Sequence, residues 1–166
     1  MKKTVLTYGL ISGVIAAVLM LAHVPFMDGG SKGLIVGYTG IVLSALLIFF
    51  GVRSYRENVG NGKISFGRGF AVGILIALIS AACYVAAWEV VYYSSPGIAD
   101  HVFDKQVEDL KDQGAPQAEI DAAAVQVESF KKLYANPLVN VAFTFIEPFP
   151  VGILMTLISA FILRRK

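Results

Sequence analysis

Only one cysteine and two histidines occur among the 166 residues, and charged side chains make up only 16% of them. The lone Cys83 excludes an intramolecular disulfide and, lying in an apolar stretch, reads as a small packing residue. Two widely separated histidines without paired cysteines are a poor basis for a metal site. HExxH, a GxSxG elbow and a Walker phosphate loop are all missing. No catalytic residue, metal ligand or cofactor is therefore expected, and the chain reads as a non-enzyme. ISFGRGFAVG spells GxGxxxG, follows a basic loop instead of a strand, and leads into an apolar run. It is a helix start with Arg68 near lipid headgroups, and not a nucleotide loop.

What the chain has in abundance is apolar sequence, 56% by composition. Four runs with little or no charge, at 4–26, 34–52, 70–93 and 138–163, are each long enough to cross a hydrocarbon core about 30 Å thick. A lone segment in lipid satisfies its backbone only as a helix. The expected fold is all-α, a polytopic membrane protein of four transmembrane helices forming one membrane domain over 1–166. Lys2 and Lys3 before the first run suggest a secretory signal, but the run is too long for an h-region and no small-x-small site follows it. A retained span is expected.

Lys2, Lys3, Arg53, Arg56, Lys63, Arg68, Arg164, Arg165 and Lys166 fall on one side of this layout, whereas the opposite short loop, MDGGSK, carries only Lys32. The excess predicts that both termini are cytoplasmic. The connection 94–137 then lies outside. It is acidic, with eight Asp and Glu against four Lys, which argues against a nucleic-acid partner. Phe103, Val107 and Leu110 form one apolar helical stripe, and Ile120, Ala123, Val127, Phe130 and Tyr134 another, separated by DQGAP. Gly114 suits a helix end and Pro116 the first turn of the next helix, so an extracytoplasmic helical hairpin is expected. Its faces pack on each other or on the bundle mouth, or else dock a partner protein or a second copy.

Small residues recur at helical spacing: Gly9 and Gly13, Gly33 and Gly37, and Gly69 and Gly73, with Ala17 and Ala77 extending two of the rows. Such rows let helices approach closely, within the monomer or between two copies.

GNGKISFGRGFAVGILIALISAACYVAAWEVVYY, NPLVNVAFTFIEPFPVGILMTLISAFILRRK and the opening GLISGVI together resemble the bacterial membrane family called domain of unknown function 4199. The resemblance covers nearly the whole chain. It implies a four-span inner-membrane protein with an extracytoplasmic helical insertion between the third and fourth spans, and it carries no activity. The matched residues are Ser65, Phe66, Gly67 and Gly73 at the third span, and Gly152, Leu157, Ile158 and Ser159 with the basic tail at the fourth. Read as residues, Ser65 is a helix cap, and Gly152 and Ser159 are small enough for close packing.

Inside the fourth run, FTFIEPFPVGILM holds a glutamate and two prolines. Glu147 lies ten residues in, about 15 Å along a helix, near the middle of the hydrocarbon. A charge there is expensive. Neutralised by a proton, the acid could donate to mid-depth Ser12, Ser44 or Ser80. Pro148 and Pro150 remove backbone donors and should loosen the helix around 144–149. Asn136, Asn140, Thr144 and Glu147, spaced four, four and three apart, fall on one helical face. That row suits a half-channel or a buried helix contact. A second cluster pairs Glu89 with His23 at similar depth beside Trp88, Tyr92 and Tyr93, which otherwise form an interfacial aromatic belt.

Two functions follow. One is a non-enzymatic structural or accessory protein that contacts the bilayer and a second copy or another membrane protein, with Glu147 locking the bundle. The other is a small oligomeric proton-coupled carrier or channel using Glu147. The small-molecule or ion ligand is left open by both.

Overall fold

The computed structural model describes residues 1–26 and 31–165, the side chains of 31, 32 and 34 apart. Part of the MDGGSK loop, including the Lys32 side chain, and the terminal Lys166 therefore lie outside the described residues. The chain forms α1 (Lys2–His23), a 3-10 turn (Val24–Phe26), α2 (Ser31–Asn58), α3 (Phe66–Ser94), α4 (Ile98–Asp112), α5 (Gln117–Tyr134), α6 (Pro137–Ile146) and α7 (Phe149–Leu163). Lys2–Phe26, Ile35–Asn58, Phe66–Ser94 and Pro137–Leu163 are long and apolar enough to span a bilayer. The protein is a multi-pass membrane protein.

The second and third spans exceed the apolar runs by several residues at the same end, where α2 continues through Arg53 and Arg56 and α3 starts at Phe66. Charge ends a hydrocarbon stretch before it ends a helix, because long basic side chains reach headgroups from within a helical turn. Ser65 caps α3 as expected, its side chain accepting from Arg68 N at 3.3 Å. The α2–α3 turn is tight: a Cβ on Gly60 would lie 2.0 Å from Lys63 O, and Gly62 has φ +82°. Ile64 then pairs in both directions with Arg165 through backbone bonds of 3.1 and 2.9 Å, clipping this turn to the end of α7.

α2 and α3 each pack on α1 and α7, and on one another. The glycine rows make these contacts inside the bundle. A Cβ on Gly13 would lie 2.6 Å from Cys83 Sγ, one on Gly73 2.8 Å from Thr156 Cγ2, and one on Gly152 3.0 Å from the Ala77 Cβ. Gly9 faces Ile79, and Gly37 makes room for the His23 ring. At the centre, Ser12 Oγ lies 2.9 Å from Ser44 O and 2.9 Å from Ser80 Oγ. A carbonyl only accepts, so it takes the Ser12 proton and Ser80 completes the chain as donor. Outward faces of α1, α2 and α7 are apolar, with Val14, Ile35 and Phe161 among their exposed residues.

α4 and α5 pack on each other. Gly114, with φ +71°, ends α4 in a left-handed conformation, and Pro116 precedes the first turn of α5. Phe103 meets Phe130 and Tyr134 edge-on at 5.1 and 5.2 Å between centroids. The pair rests on the end of the bundle opposite the clip, through Tyr134 against Tyr92 and Phe130 against Phe143.

Candidate functional site

The fourth span breaks into α6 and α7 at Glu147 and Pro148. Pro148 lacks the N–H that would continue α6, and Pro150, the second residue of α7, withdraws a second donor. The loosening expected over 144–149 is thus confined to two residues, and Glu147 caps the C-terminus of α6. Tyr84 lies ten residues before the end of α3 and Glu147 ten after the start of α6, so both reach the same depth. The Tyr84 hydroxyl donates to Glu147 Oε2 at 3.0 Å.

This partner replaces the expected serines. Ser12 bonds to Ser44 O and to Ser80 Oγ, and the Ser44 hydroxyl donates to Ile41 O, so Glu147 does not lock the bundle through these serines.

The polar row also divides into separate functions. Asn136 is exposed and caps α6, accepting from Leu138 N at 3.0 Å. Asn140, 1% exposed, accepts at Oδ1 from Trp88 Nε1 (3.1 Å) and from Thr144 Oγ1 (3.3 Å). Tyr134 lies 3.3 Å from the Thr144 hydroxyl, and burial pushes the Tyr134 hydroxyl above its usual range. Because an indole only donates, Trp88 fixes the Asn140 amide with its Nδ2 buried and unpartnered. Asn140 and Thr144 therefore join α6 to α3 and α5, and Glu147, past the helix end, also bonds to α3 through Tyr84 and lines one cavity with Thr144.

Glu89 and His23 share no hydrogen bond or ion pair, and each keeps a buried atom without a partner, Oε1 and Nε2 respectively. His23 lines the cavity that Glu147 lines, and Glu89 is not among its lining residues. Trp88 is buried against Asn140 and is no part of a lipid-facing belt, unlike Tyr93, which is 64% exposed.

That cavity, of about 570 Å³, is the feature that sequence reasoning missed. α2 packs on α1, α3 and α7, and α6 packs on α3, α5 and α7, which leaves a cleft between the start of α2 and α6 under the α4–α5 pair. Tyr38, Phe143 and Glu147 are exposed at its rim, and Tyr84, Trp88 and Phe130 contribute to its walls. The aromatic residues alone hinted at it, since they come from five elements that only the fold brings together.

The family model described as "Protein of unknown function (DUF4199)" matches residues 7–165. The chain belongs to the DUF4199 family. No curated protein and no solved structure matches it. Among the DUF4199 residues named above, Gly73 and Gly152 stand where α7 meets α3, and Ser159 donates back to Met155 O at 2.6 Å within α7.

Proposed function

We propose that the protein is a non-enzymatic, oligomeric carrier of the bacterial inner membrane that couples protonation of Glu147 to movement of a small solute. The observation that carries this reading is the placement of Glu147: a carboxylate at the break of a discontinuous span, beside a cavity, at mid-membrane depth. Freed backbone at a helix break is tolerated in a membrane where it lines a cavity. His23 from α1, Tyr38 from α2, Tyr84 from α3 and Tyr134 from α5 are the ionisable groups that share the cavity with it, and α7 contributes none. Both termini are assigned to the cytoplasm and the α4–α5 pair to the outer side. Arg53, Arg56, Arg68, Arg164 and Arg165, gathered at the clipped end, support that orientation.

The test is proton flux into liposomes under an imposed pH gradient and potential. Flux is expected with the wild type and not with folded Glu147→Gln. Absence of flux in both sinks the carrier and leaves the structural or accessory role. That second reading needs an apolar docking surface, and α5 offers Val125 and Leu133, 69% and 50% exposed and two turns apart.

A further inference from the structure

Glu147 sits at the rim of the cleft, exposed, at a depth where the surrounding solvent is hydrocarbon. Ionisable groups at that depth face water, a partner charge or a ligand. Among the described residues no lysine or arginine lines the cavity. Tyr84 satisfies one carboxylate oxygen and brings no positive charge. His23 is the only described cavity-lining side chain that can become a cation, and only by taking up a proton, so no permanent positive charge among the lining residues faces the carboxylate.

The walls narrow the class. Seven of the fourteen lining residues are aromatic, on α2, α3, α4, α5 and α6. Ring faces attract poorly hydrated, diffuse cations over ammonium-sized or metal ions that hold their water. Among the described residues, no group of three or more His, Cys, Asp or Glu could hold a metal ion. A volume of about 570 Å³ is that of a pocket for an organic molecule. The rim residues Tyr38 and Phe143 are themselves exposed on the outward surface of the spans, so the cleft opens toward lipid.

We infer that the cleft between α2 and α6 is a binding site for an amphipathic organic cation, of the quaternary ammonium or phosphonium type, that reaches it from the bilayer. Its charge lies against Glu147, and its apolar groups lie on Phe143, Phe130 and Trp88. This rests on the carrier reading's site, and deepens it by naming the ligand class, but it requires only binding.

The molecule carries its own reporter, because Trp88, the single tryptophan of the chain, lines the cavity. Purified full-length protein in detergent would be titrated with tetraphenylphosphonium and, separately, with tetraphenylborate, which has the same shape and the opposite charge. Saturable quenching of Trp88 by the phosphonium, at least about tenfold weaker with the borate, is expected, and Glu147→Gln should weaken phosphonium binding about tenfold. Phe143→Leu, which keeps an apolar side chain at an exposed rim position, should weaken it several-fold and keeps the test alive if Glu147→Gln fails to fold. Equal quenching by both ions overturns the assignment, as does no saturable quenching, the result expected if a second copy covers the cleft. Quenching without proton flux in liposomes keeps this site and removes the carrier; flux without quenching does the reverse.

Discussion

Glu147 was legible as an anomaly from its position alone, since counting residues gave its depth and depth gave its cost. Its partner was not legible. Tyr84 is 63 positions away, on a face of α3 that a membrane helix with apolar residues all round does not mark. The serines had the right depth and the wrong direction. For the glycines, spacing revealed close packing but not between which helices, and the observed contacts now allow specific statements. Gly73→Val would drive a side chain into Thr156 and Ile48, and should destabilise the bundle by about 1–3 kcal/mol, measured by unfolding in mixed micelles. Gly67→Ala, in the same helix with open space around it, should change stability little. Asn140→Ala would strand the Trp88 N–H in a buried site, with a loss of about 1–3 kcal/mol in the same assay.

At the scale of elements, charge-poor runs defined the spans because lipid enforces a length, and alternating apolar stripes defined α4 and α5 because each must bury one face. The break between α6 and α7 was visible in Pro148 and Pro150. Asn136 also caps α6, a role the spacing did not separate from the polar row because both call for a polar residue at a helix entrance. The α4–α5 pair is tied across its surface by Lys131 to Asp104 at 2.6 Å, and α4 internally by Lys105 to Glu108 at 2.8 Å. The Lys105 hydrogen bond holds the Glu108 carboxyl below its usual range, while Glu108 and Asp104 hold the Lys105 and Lys131 ammoniums above theirs. The carboxylate contribution is complete above the unfolded value of about 4.3 and fades as pH falls through the lowered folded one. The ammonium contributions are complete below about 10.4 and fade as pH rises through the raised folded values. Thermal melting followed by circular dichroism should therefore show a modest decline at both extremes, and Asp104→Asn should flatten the alkaline limb. A melting profile of Asp104→Asn identical to the wild type would remove the Lys131 tie as its cause.

For the whole molecule, the sequence supplied the number of spans and an orientation, while the cleft arose only from how unequal neighbours pack: α6 leans on α3 and α5, and α2 on α1 and α7. Orientation has a direct check. In a Cys83→Ala background, single cysteines at Asn61 and Gln113, in the turns at opposite ends, should react with an impermeant maleimide from opposite sides of the membrane, Gln113 from outside intact cells. Labelling of Asn61 from outside would invert the assignment. The divided fourth span also bears on how the protein is made. A span of 10 residues rises about 15 Å and one of 15 about 22 Å, so neither α6 nor α7 reaches across about 30 Å of hydrocarbon alone. During synthesis the insertion machinery meets α6 first, a segment too short to be released into lipid, and must retain it, glutamate included, until α7 has emerged. Assembly of this end of the protein is therefore a late, all-at-once event: ribosomes stalled just after residue 148 should hold a chain with three integrated spans, and those stalled within a long tail appended after Lys166 a chain with four.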